Sequence, residues 1–237
     1  MRIDWLELLH CPSDHGASPL ITVANVRSGD RLLDATLGCA ICGARFALHD
    51  GIVDLSEHFA DEPASASSPS VGRTVQSTRD VGSSHQTMHY PDGLPPVSAE
   101  RIAALLSLTE PGARVVMCGR LAAVAHDVAN LTGAQVLSVN PERDTPADDL
   151  DVLRTGGLPP IPLASASVVG FAIDLANVGL LSDVARVVRV GGRVVAPAST
   201  PLPVGCRELA RDEYEWVAEI VPVALPTIQL RVAARLK

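Results

Sequence analysis

Residues 168–198 read VVGFAIDLANVGLLSDVARVVRVGGRVVAPA, and this stretch decides the fold. Val168–Ile173 is a short unbroken apolar run, suited to a buried strand. Leu180–Val190 fits a helix, and Gly191-Gly192 stops it. Arg193–Ala196 returns to a strand. The same alternation runs N-terminally. Arg114–Cys118 (RVVMC) reads as a strand, Leu121–Leu131 as a helix ending before Gly133, and Gln135–Val139 (QVLSV) as a second strand. Further upstream, AERIAALLSL follows Ser98, a predicted N-cap, and Pro111-Gly112 ends that helix. Strands alternating with helices predict an α/β fold, with a mostly parallel sheet covered on both faces. In the tail, Glu215–Ile220 and Ile228–Leu236 are strand-like, separated by Pro222 and Pro226. They predict an antiparallel C-terminal edge.

Composition narrows the function classes. The chain has 237 residues, 47% hydrophobic and 19% charged, which excludes disorder throughout. Aromatics make up 3%, too few for a nucleic-acid stacking surface. The net charge of −8 gives no general attraction to phosphate backbones or anionic lipid. Mean hydropathy is high at +0.23. Even so, no uncharged apolar run reaches the roughly 18 residues of a membrane span. The N-terminus, MRIDWLELLHCP, lacks the order of a signal peptide, so the cytoplasm is the expected location. Three zones are expected: a cysteine-bearing head at 1–59, a Ser/Pro/Gly-rich linker at 60–97, and a body at 98–237.

Five cysteines in a chain with no export signal point to metal or structure rather than disulfides. Cys39 and Cys42 form a C-x-x-C followed by Gly43, a spacing that sets two thiolates on one tight turn. Cys11 is a third donor. Asp14 stands where a second C-x-x-C would have its cysteine, and His15, one residue on, is chemically the better zinc ligand. Zinc held by Cys11, Cys39, Cys42 and His15 is one reading. The other is a metal-free fold in which Cys11 packs as a small apolar group.

LELLHCPSD (6–14) and CAICGARFALHDGIVDL (39–55) resemble the small zinc-binding activator proteins that partner tRNA and release-factor methyltransferases. Leu8, Leu9, Cys11, Pro12, Cys39, Cys42, Phe46, Asp50, Gly51 and Ile52 match that pattern. Asp14 replaces the family's second cysteine and Val53 its final proline. The resemblance implies a helix followed by a small sheet, zinc-ribbon-like, with a role in protein contact.

Residues 98–237 resemble class I S-adenosylmethionine-dependent methyltransferases. VARVVRVGGRVVAPA is similar to that family's helix, Pro-Gly-Gly turn and strand, with Val190 in place of the proline. LPPIPLASAS resembles the loop into its fourth strand. The resemblance implies a Rossmann-like body. The cofactor positions depart from the family pattern. In Val116–Ala123 only Gly119 survives of the glycine-rich loop; Met117 takes the acidic position, and Leu121 and Ala123 replace glycines. Leu121 is expected to project into the adenosyl pocket. Asn140 stands where the family uses a carboxylate for the ribose hydroxyls, and Val168-Val169 replace Phe-Asp. Gly119, Asn140 and Asp174 are the residues left to meet a cofactor.

His126 reads as a partly buried helix residue, and His85 and His89 as linker residues. Cys118 and Cys206 read as structural, and Arg120 as a carboxylate partner in the eroded loop. The expected function is a methyltransferase-fold pseudoenzyme, a protein-interaction or scaffold subunit with weak or absent S-adenosylmethionine binding. It has a protein partner or forms a homo-oligomer. The alternative is an active methyltransferase with a divergent cofactor loop and a built-in activator. A metal-dependent enzyme is disfavoured, because four protein donors leave no open position for water.

Overall fold

A computed structural model of the chain describes residues 1–59, 97–143, 145, 150–157 and 159–222. The stretch 60–96, with His85 and His89, and the strand expected over 228–236 lie outside them.

The N-terminal part has α1 (Ile3–Leu6), β1 (Leu20–Ser28), β2 (Arg31–Cys39), β3 (Arg45–His49) and β4 (Ile52–Phe59). The rest begins with α2 (Ala99–Leu106), β5 (Arg114–Cys118), α3 (Ala125–Thr132), β6 (Gln135–Val139) and β7 (Asp151–Arg154). It continues with β8 (Val168–Ala172), α4 (Val184–Val187), β9 (Val188–Pro197), β10 (Cys206–Arg211) and β11 (Glu215–Ile220). All the strands among the described residues join one 11-stranded sheet, in the order β1-β2-β3-β4-β7-β6-β5-β8-β9-β11-β10.

The six central strands, β4 to β9 in space, pair in parallel. Both flanks are antiparallel. Against the expectation of a mostly parallel sheet with an antiparallel C-terminal edge, parallel pairing is therefore confined to the centre, and the N-terminal flank is antiparallel as well. Short turns such as Asp50-Gly51 can join only antiparallel neighbours, whereas parallel ones need a crossover. Within the centre, β7-β6-β5-β8-β9 is the doubly wound order, which reverses between β5 and β8. The N-terminal strands extend this sheet, since Ile52–Asp54 of β4 pairs with Val152–Arg154 of β7. The α1 end also docks there: His10 N donates to the Pro162 carbonyl at 3.1 Å.

Period-two alternation puts each central strand in two cores. On β5, Val115 and Met117 pack with Ile102 and Leu106 of α2 and Ala125 and Val128 of α3. Val116 and Cys118 face the opposite cluster, which runs from Trp5 and Leu37 to Trp216 and Ile220.

The α2 N-cap is as expected: Arg101 N donates to Ser98 Oγ at 3.2 Å. That helix ends at Ser107, in the left-handed region, before Pro111-Gly112 is reached. The helix expected over Leu121–Leu131 is divided into a 3-10 turn, Gly119–Val124, and α3. The helix expected over Leu180–Val190 requires a larger correction. A 3-10 segment covers Leu175–Asp183, α4 lasts four residues, and β9 begins at Val188. Gly191-Gly192 lies inside β9 rather than stopping a helix. The β-branched run VVRV favours the strand. Gly192 is required by close approach, because a Cβ there would lie 2.6 Å from the Val169 carbonyl oxygen of β8.

Candidate functional site

In a doubly wound sheet, ligands bind beyond the carboxyl ends of the strands, where the order reverses. That point lies between β5 and β8. Gly119 follows β5, Asn140 follows β6 and Asp174 lies just past β8. The structure brings all three sequence-selected residues to one place, and their neighbours bond them to one another. Asp174 caps the 3-10 segment and is buried, at 3% exposure. Its Oδ2 accepts from Arg120 N at 3.0 Å. Its Oδ1 accepts from Asn177 Nδ2 at 2.7 Å and Asn177 N at 3.2 Å. Asn177 Oδ1 in turn accepts from Asn140 Nδ2 at 2.9 Å. Asn140 Oδ1 takes the Thr155 N–H at 2.8 Å.

Gly119 has φ +58, and a Cβ built on it would lie 2.0 Å from Asp174 Oδ2. The Asp174 carboxylate thus lies against Gly119 on the side where a Cβ would project. Leu121 is a correction. It is 5% exposed and packs into the α2–α3 core with Met117 and Ala125, not into the crevice. The 3-10 turn rotates its side chain inward. Asn177 and Thr155 were missed by sequence reasoning. The Asp174-x-x-Asn177 spacing was the available signal, since Asp is a preferred N-cap that accepts from a backbone N–H two or three residues on.

The second cluster lies at the N-terminal end of the sheet. Cys11 is in the loop between α1 and β1, and Cys39 closes β2. Cys42 sits on the tight turn leading to β3. Ligand atoms of Cys11, His15, Cys39 and Cys42 all lie within 4.8 Å of one another. Cys11 Sγ is 3.7 Å from Cys42 Sγ, and His15 Nε2 is 3.3 Å from Cys39 Sγ. Asp14 is exposed and outside the cluster, so His15 supplies the fourth donor. The turn is built for sulfur. Gly43, at φ +74, lets the backbone reverse, and its N–H donates to the Cys39 carbonyl at 3.0 Å. Burial alone would push the Cys39 thiol up. Backbone N–H groups of Cys42 and Ile41, with the Cys42 and Cys11 side chains, outweigh it and bring the thiol down to about 6. The Ala44 N–H leads in lowering Cys42. Burial leads in raising Cys11.

The donor spacing fits one tetrahedral ion. Zn–S bonds of about 2.3 Å at a tetrahedral angle put two sulfurs about 3.8 Å apart, and a sulfur and a nitrogen about 3.5 Å apart.

The remaining sequence-selected residues add no further site. His126 is exposed on α3 rather than partly buried. Burial pushes the Cys118 thiol well up, and the Asp174 carboxylate adds to this. Cys206 is half-buried on β10 and also raised by burial. The backbone N–H of Arg120 donates to Asp174 Oδ2 at 3.0 Å, a contact distinct from the side-chain ion pair expected of it.

No protein-family model matches the chain, and no curated protein matches it. Among solved structures, a geranyl diphosphate C-methyltransferase from Streptomyces coelicolor A3(2) is 20% identical. That match covers 41% of this chain and 41% of the enzyme, with a TM-score of 0.35. The antibiotic-resistance methyltransferase Kmr is 12% identical over 54% of this chain and 95% of its own, with a TM-score of 0.35. Phosphoethanolamine N-methyltransferase 2 from Haemonchus contortus is 17% identical over 41% of this chain and 27% of its own, with a TM-score of 0.32. TM-scores this low carry no functional argument. No helix among the described residues is long and apolar enough to cross a membrane.

Proposed function

We propose that this chain is a non-catalytic protein of the class I methyltransferase fold that works through protein contacts. Its body is 98–237, its activator-like head 1–59 and its linker 60–97. The observation that carries the reading is the bonded chain Arg120–Asp174–Asn177–Asn140 across the crevice. A nucleoside cofactor has to displace the Asp174 carboxylate from its place against Gly119. Each hydrogen bond to a charged group is worth about 1.5–3 kcal/mol. Breaking two of them without replacement weakens binding by roughly two orders of magnitude or more. The strand order and the antiparallel C-terminal edge support the fold assignment. Exposed Ile21, Val23 and Val26 on the outermost strand, β1, support a role in contact.

Cys11, His15, Cys39 and Cys42 are the residues that would hold one zinc ion. The ion would supply a structural crosslink between the α1–β1 loop and the β2–β3 turn. A full set of four protein donors gives it no position for a reacting water.

A second reading, an active methyltransferase with a fused activator, draws on the pairing of β4 with β7, which places the head on the body's own sheet. Thermal unfolding separates the two. A ligand at about 100 times its Kd stabilises by about 2.7 kcal/mol. The non-catalytic reading predicts an unmoved midpoint in millimolar S-adenosylmethionine. A rise of several degrees supports the enzyme. Elemental analysis of the same sample, with one zinc per chain expected, tests the metal assignment.

A further inference from the structure

Cys11, Cys39 and Cys42 crowd into one cluster, and within it Cys42 is the exposed thiol. The Cys11 and Cys42 sulfurs approach to 3.7 Å although the residues are 31 positions apart. Cys42 is exposed on the turn before β3, and Cys11 is buried behind it. Cys39, the other thiol of that turn, is buried, as is Cys118. A reagent arriving from solvent therefore meets the Cys42 sulfur first, with the Cys11 sulfur already next to it. An S–S bond is about 2.05 Å long, so the two sulfurs need to close by about 1.7 Å.

We propose that Cys42 and Cys11 are an oxidation site for hydroperoxides, Cys42 being the attacked thiol and Cys11 the resolving one. In the first step the Cys42 thiolate attacks one peroxide oxygen. The O–O bond breaks, the sulfur is oxidised to a sulfenic acid, and the other oxygen leaves as hydroxide or alkoxide. In the second step the Cys11 sulfur attacks the Cys42 sulfur. An S–S bond forms and the sulfenic oxygen leaves as water, taking the Cys11 proton. One hydroperoxide is consumed per disulfide. A further consequence rests on the zinc reading above. The disulfide removes two of the four donors, and Cys39 with His15 alone do not complete a tetrahedral site. Oxidation then releases the ion, and thiol reductant restores the site.

The test uses the full chain with hydrogen peroxide in slight excess, followed by trypsin digestion and mass spectrometry. Cys11 lies in the tryptic peptide 3–27, and Cys39 and Cys42 both lie in 32–45. The expected product is these two peptides joined, with fragmentation placing the bond on Cys42, and separated again by dithiothreitol. Zinc, read with a chromogenic chelator, leaves in step with the crosslink. In Cys42→Ser the Cys11–Cys42 bond cannot form, and any join of the two peptides through Cys39 is about tenfold or more slower than in the parent, because the exposed attacking thiolate is gone. Peptides that stay separate overturn the proposal. So does a bond confined within 32–45, or oxidation of Cys118 or Cys206 ahead of the pair. If the purified chain carries no zinc, the metal reading fails, and the peptide map still decides the oxidation site.

Discussion

At the scale of the residue, Gly119 and Asp174 form one unit. Alanine at 119 would have to accept φ +58 and place its Cβ 2.0 Å from Asp174 Oδ2. The left-handed backbone costs about 1–2 kcal/mol, and the overlap adds about 1–3 kcal/mol. Removing the Asp174 side chain abolishes the second part only. Gly119→Ala is therefore predicted to be less damaging in an Asp174→Ala background than in the parent. Urea unfolding of the four chains measures the coupling, and a value below about 0.5 kcal/mol contradicts the overlap. A pH prediction belongs to Cys39. Its thiol is lowered from 9.0 to about 6 in the folded chain. A lowered pKa means that the thiolate's contribution is fully present above the unfolded value and is lost as pH falls through about 6. In metal-free protein, the stability difference between the parent and Cys39→Ala is predicted to shrink between pH 8 and pH 5. A constant difference contradicts it. Gly119, Asn140 and Asp174 were legible because apolar runs locate the strand ends and the methyltransferase resemblance marks those ends as cofactor positions. The sequence did not disclose that Leu121 turns inward, because that depends on the 3-10 geometry of residues 119–124, which spacing alone does not fix.

At the scale of the element, one buried carboxylate at the start of β7 ties the N-terminal residues to the body. Asp151 opens β7 at 4% exposure and accepts the Arg2 N–H at 2.7 Å. Arg31 Nη2 lies 3.4 Å from its Oδ1 and donates to the Leu150 carbonyl at 2.7 Å. Removing the carboxylate takes the acceptor from the Arg2 N–H and the counter-charge from Arg31, which keeps its Leu150 carbonyl. Asp151→Ala is predicted to cost about 1–3 kcal/mol in denaturant unfolding. Asp151→Asn, which keeps an acceptor for Arg2 N–H, is predicted to cost less. Equal losses contradict the account. β7 was not legible in the sequence. It is four residues long, DVLR, with a charge at each end, and only pairing with β4 and β6 makes it a strand. β9 was legible in part. Its Arg193–Ala196 half reads as a buried strand, but Val188–Gly192 carries both helical spacing and β-branched residues. The neighbouring β8 decides between them.

At the scale of the whole molecule, the head and body share a sheet and a core. The chain has two tryptophans, both fully buried in the same cluster: Trp5 in α1 and Trp216 in β11. Trp5→Phe and Trp216→Phe leave one reporter each, near opposite ends of the sheet. A shared core predicts coincident denaturation curves by fluorescence. Curves with separate midpoints indicate a head that unfolds on its own. The sequence showed two differently patterned regions, but not their fusion into one sheet, which depends on the long-range pairing of Ile52–Asp54 with Val152–Arg154. The central claim is that the chain's own polar side chains close the crevice between β5 and β8. Isothermal titration of S-adenosylmethionine into the intact chain tests this most directly. The account predicts no saturable heat at micromolar ligand, and a one-to-one isotherm in that range contradicts it.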